Sequence, residues 1–312
     1  MSEAAATGRQ LLERAARELR DPQGRDLAAA VQWWSLPGLG DGWPVAVAGL
    51  KPDAADQPAA DQPAAAEPVI LLHGFDSSCL EFRRLLPLLA PRQPVFIPDL
   101  YGFGFSPRQG LADEGPAAVL RHLEALLEVV LQTTGSQRVG LIGASMGGSV
   151  AVELARRVPA RISRLLLLAP AGLTGRPMPL PPLLDGLGVW FLGRPGVRQG
   201  LCRSAFADPD SSVGPAELEI ASLHLATPGW AAALARFARS GGFAGCGEPL
   251  PDQPLQVLWG ADDRILRAPQ KRAALALLGE RVRELEHCGH LPHLDQPAQV
   301  ATTWDHLCRN AV

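Results

Sequence analysis

Val139-Gly140-Leu141-Ile142-Gly143-Ala144-Ser145-Met146-Gly147 is a short apolar run that turns abruptly into a helix. Val139 to Ile142 has the length and apolar content of a buried strand, and Gly147 to Arg157 continues with helical spacing. The two glycines and Ala144 leave Ser145 flanked by small residues, as a tight strand-to-helix turn requires. A serine on such a turn projects its hydroxyl from the end of a sheet. It also sits at a helix N-terminus, where developing negative charge is favoured.

The same alternation extends in both directions. Val69 to Leu72 and Val95 to Pro98 are expected as strands, separated by a helix from Leu80 to Ala90. A helix face is marked by Val119, Leu120, Leu123, Leu126, Leu127, Val130 and Leu131, and Leu165 to Leu168 is another continuous apolar run. Runs that are apolar throughout and separated by helices imply a mostly parallel sheet, covered on both faces. The alternation stops near Ala171 and resumes with a strand from Leu255 to Trp259. A helix near Ala268 to Leu278, a strand near Arg281 to Leu285 and a last helix from Ala298 to Cys308 follow. The fold class is therefore α/β. The core spans residues 31–170 and 251–312, and residues 171–250 form a helical lid inserted over the sheet's C-terminal edge.

Residues 1–30 contain an amphipathic helix marked by Leu11, Leu12, Ala15, Ala16 and Leu19, which packs on the domain surface or lies on a membrane. Two strand-like runs around a glycine-rich turn occupy Trp33 to Leu50. Within 51–67, the Ala, Asp, Gln and Pro repeat lacks the apolar content to pack and reads as a flexible surface loop. In the lid, Leu180, Leu183, Leu184, Leu187, Val189, Trp190, Phe191 and Leu192 offer a surface for a long apolar chain or a membrane. The plainer reading is that they pack the lid onto the core.

Hydrophobic residues make up 47% of the 312, enough for a large core, and the net charge of −3 comes with no basic stripe. Nucleic acid is thus not an expected partner. Lysine occurs only at Lys51 and Lys271, so positive charge is almost all arginine. The five cysteines, Cys79, Cys202, Cys246, Cys288 and Cys308, are odd in number and contain no CxxC pair. A disulfide framework is not expected, and a reducing, cytoplasmic setting is. The N-terminus has no secretory h-region, and no apolar run reaches about 18 residues.

Chemistry-bearing residues gather at strand ends. Asp262 and Asp263 follow Leu255 to Trp259, and His287, His290 and His293 follow the last strand. A metal site from His287, Cys288 and His293 lacks a matching ligand cluster elsewhere, so neither metal nor cofactor is expected. Taken together, residues 68–312 resemble a lid-bearing α/β-hydrolase: Gly143-Ala144-Ser145-Met146-Gly147 is its G-x-S-x-G elbow, and Phe103-Gly104-Phe105-Ser106 after Asp99 is similar to its loop after the next strand. The chain order Ser, Asp, His is the one expected in that fold. The resemblance makes Ser145 the nucleophile and His290, after a glycine, the general base. Spacing in the fold favours Asp263 as the orienting acid, with Asp262 as rival. It also implies an oxyanion hole from the backbone N–H groups of Phe75 and Met146. His73 is expected to support that loop, His293 to bond within its own loop, and His287 to be exposed.

Three segments carry a narrower likeness: His73-Gly74-Phe75-Asp76-Ser77-Ser78-Cys79-Leu80-Glu81, Ser240-Gly241-Gly242-Phe243 and Cys288-Gly289-His290-Leu291-Pro292-His293. These look like the chlorophyll dephytylase branch, whose members hydrolyse the phytyl ester of chlorophyll. That likeness implies a hydrophobic small-molecule ester as partner, with peripheral contact to a thylakoid-type membrane through the lid or the N-terminal helix. A generic carboxylesterase or lipase acting on a smaller ester is the rival within enzymes. A hydrolase-fold binding protein with little turnover is the rival outside them. Serine at the elbow, where dehalogenases and epoxide hydrolases need a carboxylate, argues against those chemistries.

Overall fold

The computed structural model describes residues 3–50, 66–108, 115–179, 181 and 184–309. Eight strands among these residues form one sheet: β1 Val31–Leu36, β2 Gly40–Ala48, β3 Val69–Leu72, β4 Val95–Pro98, β5 Val139–Ala144, β6 Ile162–Leu168, β7 Leu255–Gly260 and β8 Val282–Leu285. Their order is β1-β2-β4-β3-β5-β6-β7-β8. β2 pairs antiparallel with both β1 and β4, and every later pairing is parallel.

The apolar runs are continuous because both faces of the sheet are covered. Ile70, Leu72, Leu141, Leu165 and Leu167 belong to one buried layer. Val69, Leu71, Ile142, Leu166 and Leu168 belong to the other. Side chains alternate across the sheet, so each strand feeds both layers. The helices Pro116–Thr134 and Met146–Arg157 pack in the first layer. The helix Pro297–Arg309 packs in the second through Val300, Ala301 and Trp304.

The N-terminal helix Glu3–Glu18 buries Leu12 and Ala15 in that second layer, joined by Leu19 just past its end. Its Gly8 lies so close to the Phe105 carbonyl that a Cβ there would stand 2.6 Å from the oxygen. The apolar face of this helix is thus largely spent on packing against the core. A further helix, Pro22–Ala29, follows, capped by Asp21 accepting from the Gly24 N–H. An Asp-Pro pair at N-cap and N1 was its sequence signal.

The single helix expected from Leu80 to Ala90 is instead a 3-10 turn, Cys79–Phe82, and a four-residue helix, Leu86–Leu89. Pro87 has no N–H to donate to the Arg83 carbonyl, so one continuous helix cannot run through. Most of the expected flexible loop, residues 51–65, lies outside the described residues.

Between β6 and β7 the chain leaves the sheet for the helices Leu184–Leu192, Pro195–Ala205, Pro215–Leu223 and Trp230–Arg239, with shorter turns between them. Buried Asp185 holds the first to the last through Arg239 Nη1 at 2.6 Å. Val189 is buried, yet Leu184, Leu187, Trp190 and Phe191 are each more than half exposed. The packing reading of these lid residues therefore fails for four of them. Apart from Asp185 the helix presents apolar side chains on every side, and only one face of it can meet the core. Leu180 and Leu183 lie outside the described residues.

Candidate active site

β5 delivers Ser145 at φ 51 and ψ −119, a strained conformation for a residue with a side chain. Its surroundings enforce the turn. A Cβ at Gly143 would lie 2.3 Å from the Gly147 carbonyl oxygen, and one at Gly147 would lie 2.1 Å from that of Leu72. The Ser145 N–H donates to the Leu168 carbonyl at 2.9 Å, and the Ser145 carbonyl accepts from Gly148 and Ala171. Neighbouring strands thus hold the elbow rigidly at the sheet's C-terminal edge.

His290 stands over the serine. Its Nε2 is 2.9 Å from Ser145 Oγ, and its Nδ1 is 2.9 Å from Asp263 Oδ2. The His290 N–H donates to the Ala205 carbonyl at 2.8 Å, so the inserted segment helps to place the imidazole.

The Asp263 carboxylate is wholly buried. Its Oδ1 accepts from the Ile265 and Leu266 N–H groups at 2.9 and 3.2 Å. Oδ2 accepts from Trp259 Nε1 at 3.0 Å besides facing His290. Burial pushes this carboxyl up, but His290 and the two backbone donors outweigh it and hold it below its ordinary value. An ionised Asp263 only accepts, which puts the imidazole proton on Nδ1 and turns the Nε2 lone pair towards Ser145. Asp262 is exposed and its backbone N–H donates to the Cys288 carbonyl, so of the two aspartates only Asp263 reaches the histidine.

The loop after β3 closes the other side. Gly74 passes so near that a Cβ there would sit 3.3 Å from Ser145 Cβ. The Phe75 and Met146 N–H groups meet no protein acceptor among the described residues. Met146 opens the helix Met146–Arg157, whose first N–H groups have no intrahelical partner. His73, fully buried, accepts from the Leu100 N–H at 3.0 Å through Nε2, so its Nδ1 donates to the Gly74 carbonyl at 2.8 Å. It is a brace for this loop.

His287 is exposed. His293 departs from expectation: rather than bonding within its own loop, it places Nε2 2.9 Å from Glu81 Oε1, against the Phe82 ring. Its loop runs into a short buried helix, Pro292–Asp295, which aims the ring at the β3 side. Glu81 Oε2 in turn accepts from the Gly74 N–H at 3.4 Å. Burial pushes the Glu81 carboxyl up, but His293, with His73 and Ser77, outweighs it and brings the value down from 4.5 to about 2.

A carboxyl whose folded value is depressed stabilises the fold above its unfolded value and loses that contribution as pH falls through the folded one. For Glu81 the window runs from about 4.5 down to about 2. Glu81→Gln should lower stability by about 3 kcal/mol at pH 7, or roughly 5 °C in thermal midpoint. Scanning calorimetry at pH 7 and pH 3 checks this, and the gap should shrink by about half at the lower pH. A gap that does not change with pH would remove the ionised Glu81 from the account.

A cavity of about 270 Å³ opens on Ser145 and His290 and is lined by Leu192, Leu201, Phe206 and Ile220 among others. A second, of about 300 Å³, lies across Phe75, between Met146, Met178, Phe237 and Phe243. No group of three or more His, Cys, Asp or Glu side chains suited to a metal ion occurs among the described residues. All five cysteines are free.

Glu81, Asp76, Arg198 and His224 are site neighbours that the sequence reading did not single out as functional. Their signal was present: Asp76 and Glu81 are acids inside an otherwise apolar or small-residue stretch, and both are buried.

The model of the alpha/beta hydrolase family matches residues 69–303. The chain is 31% identical over 239 residues to the alpha/beta hydrolase domain-containing protein VTE7 of Arabidopsis thaliana, covering 75% of this chain and 71% of that protein. It is 32% identical over 127 residues to 2-hydroxy-6-oxo-2,4-heptadienoate hydrolase of Pseudomonas putida, covering 39% of this chain and 42% of that one. In fold it is similar to a thermophilic esterase from Thermogutta terrifontis, with TM-score 0.65 and 22% identity over 90% of this chain and 98% of that one. No helix among the described residues is long and apolar enough to cross a membrane.

Proposed function

The chain belongs to the alpha/beta hydrolase family, and from that premise we propose that it is a serine esterase working through an acyl-enzyme. The observation that carries this reading is the relay Ser145 Oγ–His290 Nε2–His290 Nδ1–Asp263 Oδ2, with both gaps at 2.9 Å. His290 takes the Ser145 proton as Oγ attacks the ester carbonyl, and the negative charge moves to the carbonyl oxygen. The Phe75 and Met146 N–H groups receive that oxyanion. Collapse breaks the C–O bond to the alcohol, which leaves with the proton from His290. Water, deprotonated by His290, then attacks the acyl carbonyl and releases the acid and free Ser145. Asp263 stays ionised throughout and steadies the imidazolium.

The substrate in this reading is an apolar ester, the phytyl ester of chlorophyll. The segments 73–81, 240–243 and 288–293 support it by their likeness to the dephytylase branch. The apolar lining of both cavities suits an isoprenoid chain. Exposed Leu184, Leu187, Trp190 and Phe191 suit peripheral contact of the lid with the membrane that holds such a substrate. A compact carboxylic ester is the second reading. The 270 Å³ cavity at Ser145 favours it, being at the small end for ligand pockets.

Incubation with chlorophyll a in detergent beside p-nitrophenyl butyrate separates these readings. Release of chlorophyllide a, followed by chromatography, is the expected result. Cleavage of the short ester alone would move the substrate to the compact class. Cleavage of neither would leave a ligand-binding protein of the same fold.

A further inference from the structure

Asp76 immediately follows Phe75 and completes the turn after β3, at φ 50, a backbone region that few side chains other than Asn and Asp tolerate. Its carboxylate is buried, and every donor recorded on it comes from the inserted segment. Trp230 Nε1 donates to Oδ1 at 2.7 Å, and His224 Nε2 lies 3.1 Å from the same oxygen. Arg198 Nη1 bonds Oδ2, while its Nη2 holds the Ala221 carbonyl. These donors sit on three separate elements, Pro195–Ala205, His224–Ala226 and Trp230–Arg239. Burial pushes the Asp76 carboxyl up, but His224, Arg198 and Trp230 outweigh it, so it is held below its ordinary value and stays charged.

One carboxylate therefore gathers three pieces of the lid at a point one residue from an oxyanion donor. Holding the lid alone would not require this location. A carboxylate anywhere along the interface would serve, whereas this one belongs to the turn that presents the Phe75 N–H. Asp tolerates this positive φ, and the carboxylate that the turn presents is held by donors of the inserted segment. On its other side the Phe75 N–H shares a peptide plane with the Gly74 carbonyl, which His73 Nδ1 holds at 2.8 Å. The Phe75 ring meets Phe103 and Phe237 at 5.9 and 6.0 Å, so Asp76 supplies the hold on the C-terminal side of this peptide.

We propose that Asp76 is a positioning residue for hydrolysis: it ties the seated lid to the Phe75–Asp76 turn, so that the oxyanion site is complete only when Arg198, His224 and Trp230 are in place. This rests on the reading of Ser145 as nucleophile and Phe75 as oxyanion donor. It adds that the lid is part of the transition-state site and not simply a cover. A group acting only on the oxyanion should alter kcat and leave KM nearly unchanged.

The test uses Asp76→Asn, together with Trp230→Phe and Arg198→Ala, which remove lid donors without touching the oxyanion loop. Each full-length variant is titrated for reactive serine with a fluorophosphonate. Then kcat and KM are measured on p-nitrophenyl butyrate, with the Ki of a trifluoromethyl ketone whose hemiketal oxygen occupies the oxyanion site. Per reactive serine, kcat should fall about 10- to 100-fold in Asp76→Asn and about tenfold in Trp230→Phe, with KM within about threefold. The ketone Ki should rise in parallel with the loss of kcat. A purely structural role would lower the reactive fraction and the thermal midpoint, leaving kcat per reactive serine and Ki as in wild type. That outcome in the two lid variants overturns the proposal, even if Asp76→Asn fails to fold. Wild type that takes no label at Ser145 would instead overturn the nucleophile reading, and this proposal with it.

Discussion

Replacing Ser145 by alanine is expected to lower kcat for ester hydrolysis by about 10⁶-fold, close to the loss from removing the whole relay. The size follows from the geometry. Ser145 Oγ is the group held 2.9 Å from His290 Nε2, and without it no acyl-enzyme forms. Residual turnover would come from water activated by His290 beside the Phe75 and Met146 donors. Stability should hardly change. Alanine keeps the Cβ at φ 51 and removes only a hydroxyl, so the thermal midpoint should stay within a few degrees. Steady-state assays with calorimetry on the same samples check both halves. Activity within about tenfold of wild type would remove Ser145 from the chemistry.

Asp263→Asn is expected to cost about 10⁴-fold in kcat, through the imidazole tautomer. The carboxylate only accepts, so His290 must carry its proton on Nδ1. An amide nitrogen facing Nδ1 would donate instead, move the proton to Nε2 and leave nothing to take the Ser145 proton. Turning the amide so that its oxygen faces His290 would put its NH2 group against the Ile265 and Leu266 N–H groups, where Oδ1 now accepts. Loss of the depressed carboxyl should also destabilise the fold at neutral pH, and progressively less as pH falls below the ordinary carboxyl value of 3.8. Asp262→Asn is the control: its side chain is exposed, and kcat should stay within about twofold. Equal losses at 262 and 263 would mean that the relay does not run through Asp263.

The parallel sheet was legible because its strands are apolar on every residue, a pattern that only a sheet covered on both faces produces. The elbow was legible for a related reason. Gly143 and Gly147 sit where a Cβ would strike a backbone oxygen at 2.3 and 2.1 Å, so the turn leaves a local signature. Contacts between distant segments leave none. The approach of His293 to Glu81 joins positions 212 apart, and the Asp76 cluster joins 76 to 198, 224 and 230. The break at Pro87 was readable but was overruled by an apolar period that spans it. In the inserted segment, periodicity could not tell a buried face from an exposed one, because the helix Leu184–Leu192 has apolar side chains on every side apart from Asp185.

Labelling with a fluorophosphonate at pH 7, followed by peptide mass spectrometry, tests the central claim most directly. One phosphonyl adduct on Ser145 is the expected result, formed at least about 100-fold more slowly in His290→Ala and Asp263→Asn. An adduct on another residue, or none on wild type under conditions that label a control esterase, would contradict Ser145 as the nucleophile activated by His290 and Asp263.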